Sequence, residues 1–502
     1  MNAMADCRNG QSLPLTALPD LPPERFHDLV LESIQAGGRI CAYFGLPDEN
    51  DVTLVAVLAF DQRGHLALAR TRVTERFAAL TPQAPQAHWF EREIAEQWGL
   101  QALNHPWPKP IRFQHCWKAA PHGRGPEQAI MPGVTDYFRV EGRQVHEVAV
   151  GPVHAGIIEP GHFRFQCHGE SVFHLEIELG YQHRGVERAL VGGPGPRTRH
   201  YMETLAGDTT IGHTTAYALL LEALCGTPAS ARAQSIRSIA LELERLANHT
   251  GDLGALAADV GFLPTSAYCG RLRGDFLNAT ALLCGNRFGR NLVRPGGVSC
   301  DLTPHMAMEM ERRLTEAFRD VQDATALLWS TPSVMARLEE TGRTSAADAA
   351  ALGWVGPCAR ACGVVRDVRY DHPSDAYQVH VVPPATWTSG DVFARAKVRW
   401  LEIQRAMEFI LQQLHNLPGG RIKTDPGDLA PEHIAVSLVE GWRGEICHVA
   451  LTDPQGKLRR YKVVDPSFHN WFALALALRG QQISDFPLCN KSFNLSYCGH
   501  DL

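Results

Sequence analysis

Residues 235–260 read SIRSIALELERLANHTGDLGALAADV and predict one long amphipathic helix. Ile236, Ile239, Leu243 and Leu246 recur three and four residues apart, so they fall on one stripe of a helix, and most charged residues fall between them. A stripe of this kind packs against other helices in a bundle. The stretch therefore predicts a large domain that is mainly α-helical.

The same apolar spacing recurs over much of the second half of the chain. It predicts helices over 212–224, 231–259, 303–330 and 391–416. Each stretch is long enough to span several turns, so a bundle of long helices is expected.

Strands are indicated where apolar residues recur at every second position. In GHFRFQCHGESVFHLEIELG, residues 161–180, apolar and polar side chains alternate on both sides of a turn at 168–171. This alternation predicts a β-hairpin over 162–179. Short strands return near 434–464, and a last helix is predicted over 467–479.

The N-terminal part reads as a small α/β unit over 25–115. A helix near 26–36 precedes three strand-like runs, RICAYFGL, DVTLVAVLAF and HLALARTRV, and FEREIAEQWGL at 90–100 predicts a second helix. Residues 1–24 show no period and predict a flexible arm, and 116–145 are rich in Gly, Pro and charge and predict a linker. The fold class is α+β, with a domain boundary near 146.

Composition excludes several classes of protein. The 502 residues are 45% hydrophobic and 20% charged, a globular mixture that rules out a disordered or fibrous chain. The 48 Lys and Arg against 54 Asp and Glu leave a net charge of −6, so no basic excess favours a nucleic-acid partner. No uncharged apolar run reaches about 18 residues, and the N-terminus lacks a signal-peptide pattern, so we expect a cytosolic chain.

The 13 cysteines are many for a cytosolic chain, yet no two form a CxxC pair. Zinc and iron–sulfur sites usually take such pairs, because one turn must present two thiolates to the same metal. We expect most of the cysteines to be small buried apolar residues.

The stretch GPVHAGIIEPGHFRF, residues 151–165, contains the first candidate site residues. Its glycines and prolines predict a rigid turn that could present His154, Glu159 and His162 to a cleft, where Glu and His exchange protons if burial tunes their pKa values. The alternative for these side chains is a capping or salt-bridge role.

Four further motifs follow in order. They are GYQHRGVE at 180–187, ETLAGDTTIGH at 203–213, RPGGV at 294–298 and the segment DFPLCNKSFNLSYCGHDL at 485–502. Each alone is compatible with a loop that needs its Gly or Pro for the turn.

In this order the motifs resemble one superfamily. The stretch 146–502 is similar to the D subunit of bacterial complex I and to the large subunit of energy-converting nickel-iron hydrogenases of the formate-hydrogenlyase and hydrogenase-4 type. The stretch 25–115, with FEREIAEQWGL followed by HPWPKPIR at 105–112, resembles the C subunit of complex I. The resemblance implies a chain in which a C-like and a D-like part are fused.

The hydrogenase resemblance implies four thiolate ligands, since soft sulfur donors suit nickel and low-spin iron. With Gly207, His213 and Asp501 as anchors, the four positions fall on residues without a thiol: Ala206, Thr209, Ser496 and Gly499. Cys498 is one position out of register, and a single thiolate cannot hold the centre. We therefore expect no nickel-iron centre and no cofactor bound directly by this chain.

The D subunit of complex I has also lost these ligands, and the resemblance implies a cavity for a quinone headgroup in their place. Its tyrosine partner falls on Gly207 and is missing, and His154 is the candidate for its histidine. A quinone-reducing subunit of the NADH:quinone oxidoreductase type is therefore an alternative function.

Four residues are the predicted proton carriers. Glu159 and His162 match a Glu-Gly-His element in which the family's Glu carries protons, here with a proline inserted. Asp208 places a carboxylate at the lost metal position, and with His213 it is either a proton relay or a hydrogen-bonded pair that fills the hole.

His183 and Arg184 match the family segment that faces a four-iron–four-sulfur cluster held by a partner protein. Positive charge beside such a cluster favours its reduced form. The alternative is a helix-start salt bridge with Glu187.

The resemblance implies an oxidoreductase subunit, without its own nickel-iron centre, in an assembly that couples electron or proton transfer to ion translocation. The implied partners are a small iron–sulfur protein resembling the B subunit of complex I, and membrane proteins resembling antiporters and the H subunit. The expected location is peripheral, on the cytoplasmic side of the inner membrane. A non-catalytic scaffold, with side chains filling the cavity, is the second alternative.

Overall fold

The computed structural model describes residues 4–48, 51–117, 136–154 and 158–502. The N-terminal elements are, in chain order, β1 (Ala5–Cys7), β2 (Gln11–Pro14), β3 (Asp20–Leu21), α1 (Pro23–Gln35), β4 (Arg39–Asp48), β5 (Asp51–Phe60), β6 (His65–Val73), β7 (Arg76–Ala78), α2 (His88–Trp98) and β8 (Gln101–Leu103). This part is the small α/β unit that the sequence predicts.

The elements of the large part are listed in the same way. They are β9 (Val145–Val150), β10 (His162–His168), β11 (Ser171–Glu178), α3 (Val186–Ala189), α4 (Thr198–Met202), α5 (Thr210–Cys225), α6 (Ala231–Asp259), α7 (Leu263–Cys284), β12 (Val293–Arg294), β13 (Gly297–Val298), α8 (Pro304–Ser330), α9 (Pro332–Leu338), α10 (Ala346–Leu352), α11 (Gly356–Arg360), α12 (Val368–Asp371), α13 (Val392–His415), β14 (His433–Gly441), β15 (Gly444–Thr452), β16 (Leu458–Val464), α14 (Pro466–Ala477), α15 (Phe486–Phe493) and α16 (Tyr497–His500). The α+β fold class is confirmed.

The N-terminal sheet has the order β1-β6-β5-β4, with β3 beside β6. Its strands are antiparallel, apart from the parallel pair β3 and β6. Helix α1 begins at Pro23, whose missing N–H falls where a helix has no internal acceptor. Helix α2 ends at Gly99, whose φ of 65° suits a residue without a Cβ.

Residues 4–24 correct the prediction of a flexible arm over 1–24. β1 pairs with β6, and β2 adds a fourth strand to the sheet β16-β15-β14-β2 of the large part. Leu13 lies opposite Ile434 in this pairing. Strands of three or four residues are too short to show a period, so the sequence does not signal them.

The predicted linker over 116–145 falls largely outside the described residues, which resume at Asp136. From there the chain lies against the hairpin: the Tyr137 hydroxyl donates to Glu178 at 2.7 Å, and the Phe138 N–H donates to Glu176 at 2.8 Å.

The predicted hairpin is confirmed as β10 and β11, and β10 also pairs with β9, which the sequence did not predict. Helix α6 spans 231–259 as expected, but it is buried on nearly every side, including Arg237, Glu242, Arg245 and His249. These polar side chains stay inside because they form buried ion pairs and hydrogen bonds. Helix α7, which packs on α6, was not predicted.

Candidate functional site

Two segments far apart in sequence meet at the start of α5: the turn 203–209 and the C-terminal segment 494–501. The Arg184 guanidinium joins them, donating to the carbonyls of Thr204 at 2.7 Å, Leu205 at 2.9 Å and Cys498 at 3.4 Å. The fold therefore brings together the two places where the family resemblance puts paired thiolates.

The residues at those places do not offer a metal-binding donor set. Ala206 has no donor atom and is fully buried. The Thr209 hydroxyl donates to Asp208 at 3.1 Å and accepts the Trp442 indole N–H at 3.1 Å. These contacts occupy the hydroxyl, which is in any case a poor ligand for nickel or low-spin iron.

The C-terminal pair is equally unsuited. The Ser496 hydroxyl accepts the Gly499 N–H at 2.9 Å and caps α16. A Cβ on Gly499 would lie 2.6 Å from the Asp465 carboxyl carbon, so a side chain there would displace that carboxylate. Burial and Glu159 raise the pKa of the Cys498 thiol to about 12, which keeps it protonated. Within the described ranges, no three His, Cys, Asp or Glu side chains are arranged to hold a metal ion.

A guanidinium occupies the junction of the two segments. Arg443 lies in the two-residue turn between β14 and β15, and its two terminal nitrogens donate to Asp208 at 2.5 and 2.8 Å. Its Nε donates to the Asn494 carbonyl at 2.5 Å, so one side chain links the turn to the C-terminal segment. Burial would raise the pKa of Asp208, but Arg443 lowers it below its ordinary value, so Asp208 is ionised.

The predicted pairing of Asp208 with His213 is therefore wrong, because the Asp208 carboxylate pairs with Arg443. His213, in the first turn of α5, instead places Nε2 3.1 Å from Asp465 Oδ2 and Nδ1 3.1 Å from His448 Nε2. His448 Nδ1 lies 2.8 Å from the Tyr461 hydroxyl. The side chains of His213, Asp465, His448 and Tyr461 are all buried.

This row of groups has one consistent direction of hydrogen bonding when both histidines are neutral. His213 lowers the pKa of Asp465 against the effect of burial, so the carboxylate accepts from His213 Nε2–H. His213 Nδ1 then accepts from His448 Nε2–H, and His448 Nδ1 accepts from Tyr461. The row is thus a continuous chain of hydrogen bonds from Asp465 to Tyr461.

The three candidate residues in the stretch 151–165 make different contacts. Glu159 Oε2 accepts the Tyr497 N–H at 3.2 Å, which puts its carboxylate against the C-terminal segment. His154 and His162 bond to the carbonyls of Gly161 and Gly151, at 2.9 and 3.3 Å. Glu159 reaches the site, whereas these two histidine bonds hold the loop that carries it.

His183 and Arg184 do not pair with Glu187, so the salt-bridge alternative is wrong. Glu187 is buried and pairs with Arg460 at 2.9 Å and Lys462 at 3.0 Å. His183 Nδ1 lies 3.2 Å from the Asp501 carbonyl, and burial and then the nearby Arg112 lower its pKa, which favours the neutral ring. Of the two, Arg184 carries the fixed positive charge.

A cavity of about 440 Å³ lies beside the hairpin. Its lining is mostly apolar, with Ile158, Phe165 and Phe486 among the walls, and it includes His154, Lys491 and Tyr497. It is lined by His154 and Ile158 but not by 207–213, where Thr209 and His213 are buried. Apolar walls together with polar side chains are suited to a small amphipathic molecule.

Arg443 and Asp465 are central to the site, and sequence reasoning missed both. Arg443 lies in a hairpin turn, and Asp465 begins α14 by accepting the Ser467 N–H at 2.8 Å. An Asp-Pro pair before a helix signals such a cap, but its second contact, to His213, depends on the tertiary fold.

The cysteines behave as the sequence indicates. All thirteen are free thiols, and most are buried. No helix among the described residues is both long and apolar enough to cross a membrane.

Two family models match separate parts of the chain. Residues 27–125 match the respiratory-chain NADH dehydrogenase 30 Kd subunit, and residues 259–433 match the 49 Kd subunit of the same enzyme. The order of the two matches is that of a C/D fusion.

Curated relatives extend the similarity to hydrogenases. Formate hydrogenlyase subunit 5 of Escherichia coli (strain K12) is 30% identical over 434 residues, which cover 84% of this chain and 76% of the relative. Carbon monoxide-induced hydrogenase of Rhodospirillum rubrum is 31% identical over 350 residues, or 70% of this chain and 97% of the relative. The fused C/D subunit of NADH-quinone oxidoreductase from Bdellovibrio bacteriovorus is 25% identical over 460 residues, or 84% and 82%.

These relatives are subunits of complex I-like and membrane-bound hydrogenase oxidoreductases, and the similarity to formate hydrogenlyase subunit 5 and to the C/D subunit covers 84% of this chain. The chain belongs to the family of fused C/D-type subunits shared by complex I and the membrane-bound hydrogenases.

Proposed function

We propose that this chain is the C/D-type subunit of a membrane-associated, complex I-like or hydrogenase-4-like oxidoreductase, and that it works without its own nickel-iron centre. In the assembly it couples electron or proton transfer near a partner's four-iron–four-sulfur cluster to ion translocation. The observation that carries the proposal is the Arg443–Asp208 ion pair, which lies at the junction of the two former ligand segments.

The proposed partners are a small iron–sulfur protein resembling the B subunit of complex I, and membrane proteins resembling antiporters and the H subunit. We place the chain on the cytoplasmic side of the inner membrane as a peripheral component. Family membership supports a membrane-associated assembly in general, since relatives are named as subunits of a membrane-bound hydrogenase and of an NADH-quinone oxidoreductase.

Within the site, the proposed proton carriers have different roles. His213 shares a hydrogen-bonded row with Asp465 and can pass a proton along it. Glu159 offers a carboxylate at the C-terminal segment, and His162 lies behind it on β10. Asp208, held ionised by Arg443, supplies fixed charge more readily than a mobile proton.

His183 and Arg184 are proposed to lie beside the partner cluster. Arg184 already holds the two ligand segments together through three carbonyls, and its charge would favour an electron on a nearby cluster. The chain itself supplies no ligand to that cluster in this proposal.

A quinone-binding function is the second candidate, favoured by the 440 Å³ cavity that includes His154 and Tyr497. It differs from the expected arrangement in one respect, because the cavity does not extend to residues 207–213. A bound quinone would therefore lie against the hairpin and α15, away from the former ligand positions.

The test is to purify the intact complex, identify its subunits, and measure iron, nickel and extractable quinone. We expect iron with nickel far below one per complex, because none of the four ligand positions carries a thiol. Stoichiometric nickel would overturn the proposal, and the absence of both metals would favour the scaffold alternative.

The same preparation tests the quinone-binding candidate. Ile158→Arg places a charge at the cavity wall and should lower the quinone retained by the complex. Val191→Arg is the matched control, since both residues are about half exposed, at 48% and 49%, and Val191 does not line the cavity. Equal retention in the two variants would remove the quinone candidate.

A further inference from the structure

Glu244 is a buried carboxyl group that the site described above does not use. It projects from α6 beneath the first turn of α5, where its two oxygens accept the N–H groups of Ile211 at 2.7 Å and Gly212 at 3.1 Å. Across the described parts of the chain, no cationic side chain comes within ion-pair distance of it. Arg237 and Arg245, on the same helix, form ion pairs with Glu222 and Glu242.

A small cavity of about 10 Å³ adjoins this carboxyl group. Its lining includes the buried Asn248, the partly exposed Asp208, and Arg287 and Phe288, which are exposed to solvent. Space of this size holds about one water molecule when polar groups surround it. The cavity lies between Glu244 and the exposed side chains of Arg287 and Phe288.

The charged groups around Glu244 are arranged unevenly. Asp208 faces it from the turn before α5, and Asn248 ties the two together by donating to the carbonyls of Asp208 at 3.0 Å and Glu244 at 2.9 Å. Arg443 is engaged by Asp208, and Arg287 lies at the outer end of the cavity. An ionised Glu244 would therefore place a second negative charge beside Asp208.

We propose that Glu244 is a proton-exchange residue, which takes up a proton from solvent through the Arg287–Phe288 cavity and releases it by the same route. The proton moves from the cavity water to a Glu244 oxygen, the carboxylate becomes a neutral acid, and the water is restored by solvent. This inference rests on the proposed function, because an electron arriving at a nearby partner cluster would draw the proton in.

The titration range suits this role. Burial raises the pKa of Glu244 to about 8, while the two backbone N–H groups act in the opposite direction. That pKa already includes a smaller raising by Asp208 and a smaller lowering by Arg245. The group would thus change charge near neutral pH, where a proton exchanger must work.

The experiment is an infrared titration of the purified complex containing the full chain. Wild type should show a neutral carboxyl absorption that disappears with a midpoint near pH 8, and Glu244→Gln should lack that component. Glu311→Gln is the control, since Glu311 pairs with His415 on the surface and should leave the spectrum unchanged. A Glu244→Gln spectrum identical to wild type would overturn the proposal.

A second variant tests the route. Thr280→Ile replaces a hydroxyl on the cavity wall with a larger ethyl group, so deuterium exchange of the Glu244 carboxyl in heavy water should slow by about tenfold or more. An unchanged rate would rule out this cavity as the path. Both readouts are independent of metal content, so nickel in the complex would overturn the proposed function while leaving the Glu244 result to stand or fall by itself.

Discussion

Arg443 has a larger role than its place in a hairpin turn indicates. Its guanidinium binds the Asp208 carboxylate with two nitrogens and the Asn494 carbonyl with the third, and it packs over the Trp442 ring at 3.9 Å. The planar fork makes all these contacts at once, which a lysine cannot do. One residue therefore closes the junction where the family resemblance places a metal centre.

Replacing Arg443 tests how much it contributes to the free energy of unfolding. Arg443→Met should lower the free energy of unfolding by about 2 kcal/mol, because it leaves Asp208 without its partner, although Asp208 stays partly hydrated. Arg443→Lys should recover part of the loss. Urea denaturation measures both, with Arg312→Met as the control, since Arg312 forms only exposed pairs on α8. Equal stability of Arg443→Met and Arg312→Met would contradict this assignment.

Among the secondary-structure elements, β2 has the most unexpected place. It lies near the N-terminus, yet it completes a sheet formed by strands more than 400 residues later, with Leu13 opposite Ile434. The Ser12 hydroxyl adds a bond to the Ala223 carbonyl at 2.9 Å, which ties the strand to α5. Covering the edge of β14 in this way also keeps it from pairing with another chain.

Removing residues 1–18 should expose that edge. We expect the amides of 434–436 to exchange with deuterium faster than in the full chain, because their strand loses a neighbour. The amides of 447–449, which lie between β14 and β16, should keep their protection and serve as the internal control. Unchanged exchange at 434–436 would show that β2 does not stabilise the sheet.

Across the whole molecule, the C-like and D-like parts share buried ion pairs. Arg39 of the N-terminal sheet contacts both Asp61 and Glu445, and Asp61 also contacts Arg366 and His372 of the large part. Such pairs add little when intact, but breaking one leaves an uncompensated buried charge. The two parts should therefore unfold together.

The Asp61 cluster also predicts a dependence on pH. Burial alone would raise the pKa of Asp61, but Arg39, His372 and Arg366 together lower it well below its ordinary value. A lowered pKa gives stability that is present above about pH 4 and is lost as the pH falls further. Asp61→Asn should cost about 3 kcal/mol at pH 7 and flatten the loss in acid, as measured by thermal unfolding from pH 7 to 3. A variant with the wild-type acid profile would contradict this role.

Local patterns in the sequence are sufficient to predict several parts of the fold. The long apolar stripe of α6, the alternation in β10 and β11, and the motifs at 151–165 and 180–187 were enough to predict the helical domain, the hairpin and the family. They also show that Ala206, Thr209, Ser496 and Gly499 are not thiols, since the residue types are read directly.

Which of the site residues interact depends on tertiary packing. Asp208 and His213 are five residues apart in sequence, so a contact between them is the obvious expectation. In the structure Asp208 pairs with Arg443 and His213 with Asp465, and each partner is more than 230 residues away in sequence. The same holds for strand β2, which pairs with β14, and for the Glu244 carboxyl group, which accepts the N–H groups of Ile211 and Gly212. Their partners are set by packing between distant segments, and neither apolar period nor residue spacing carries that information.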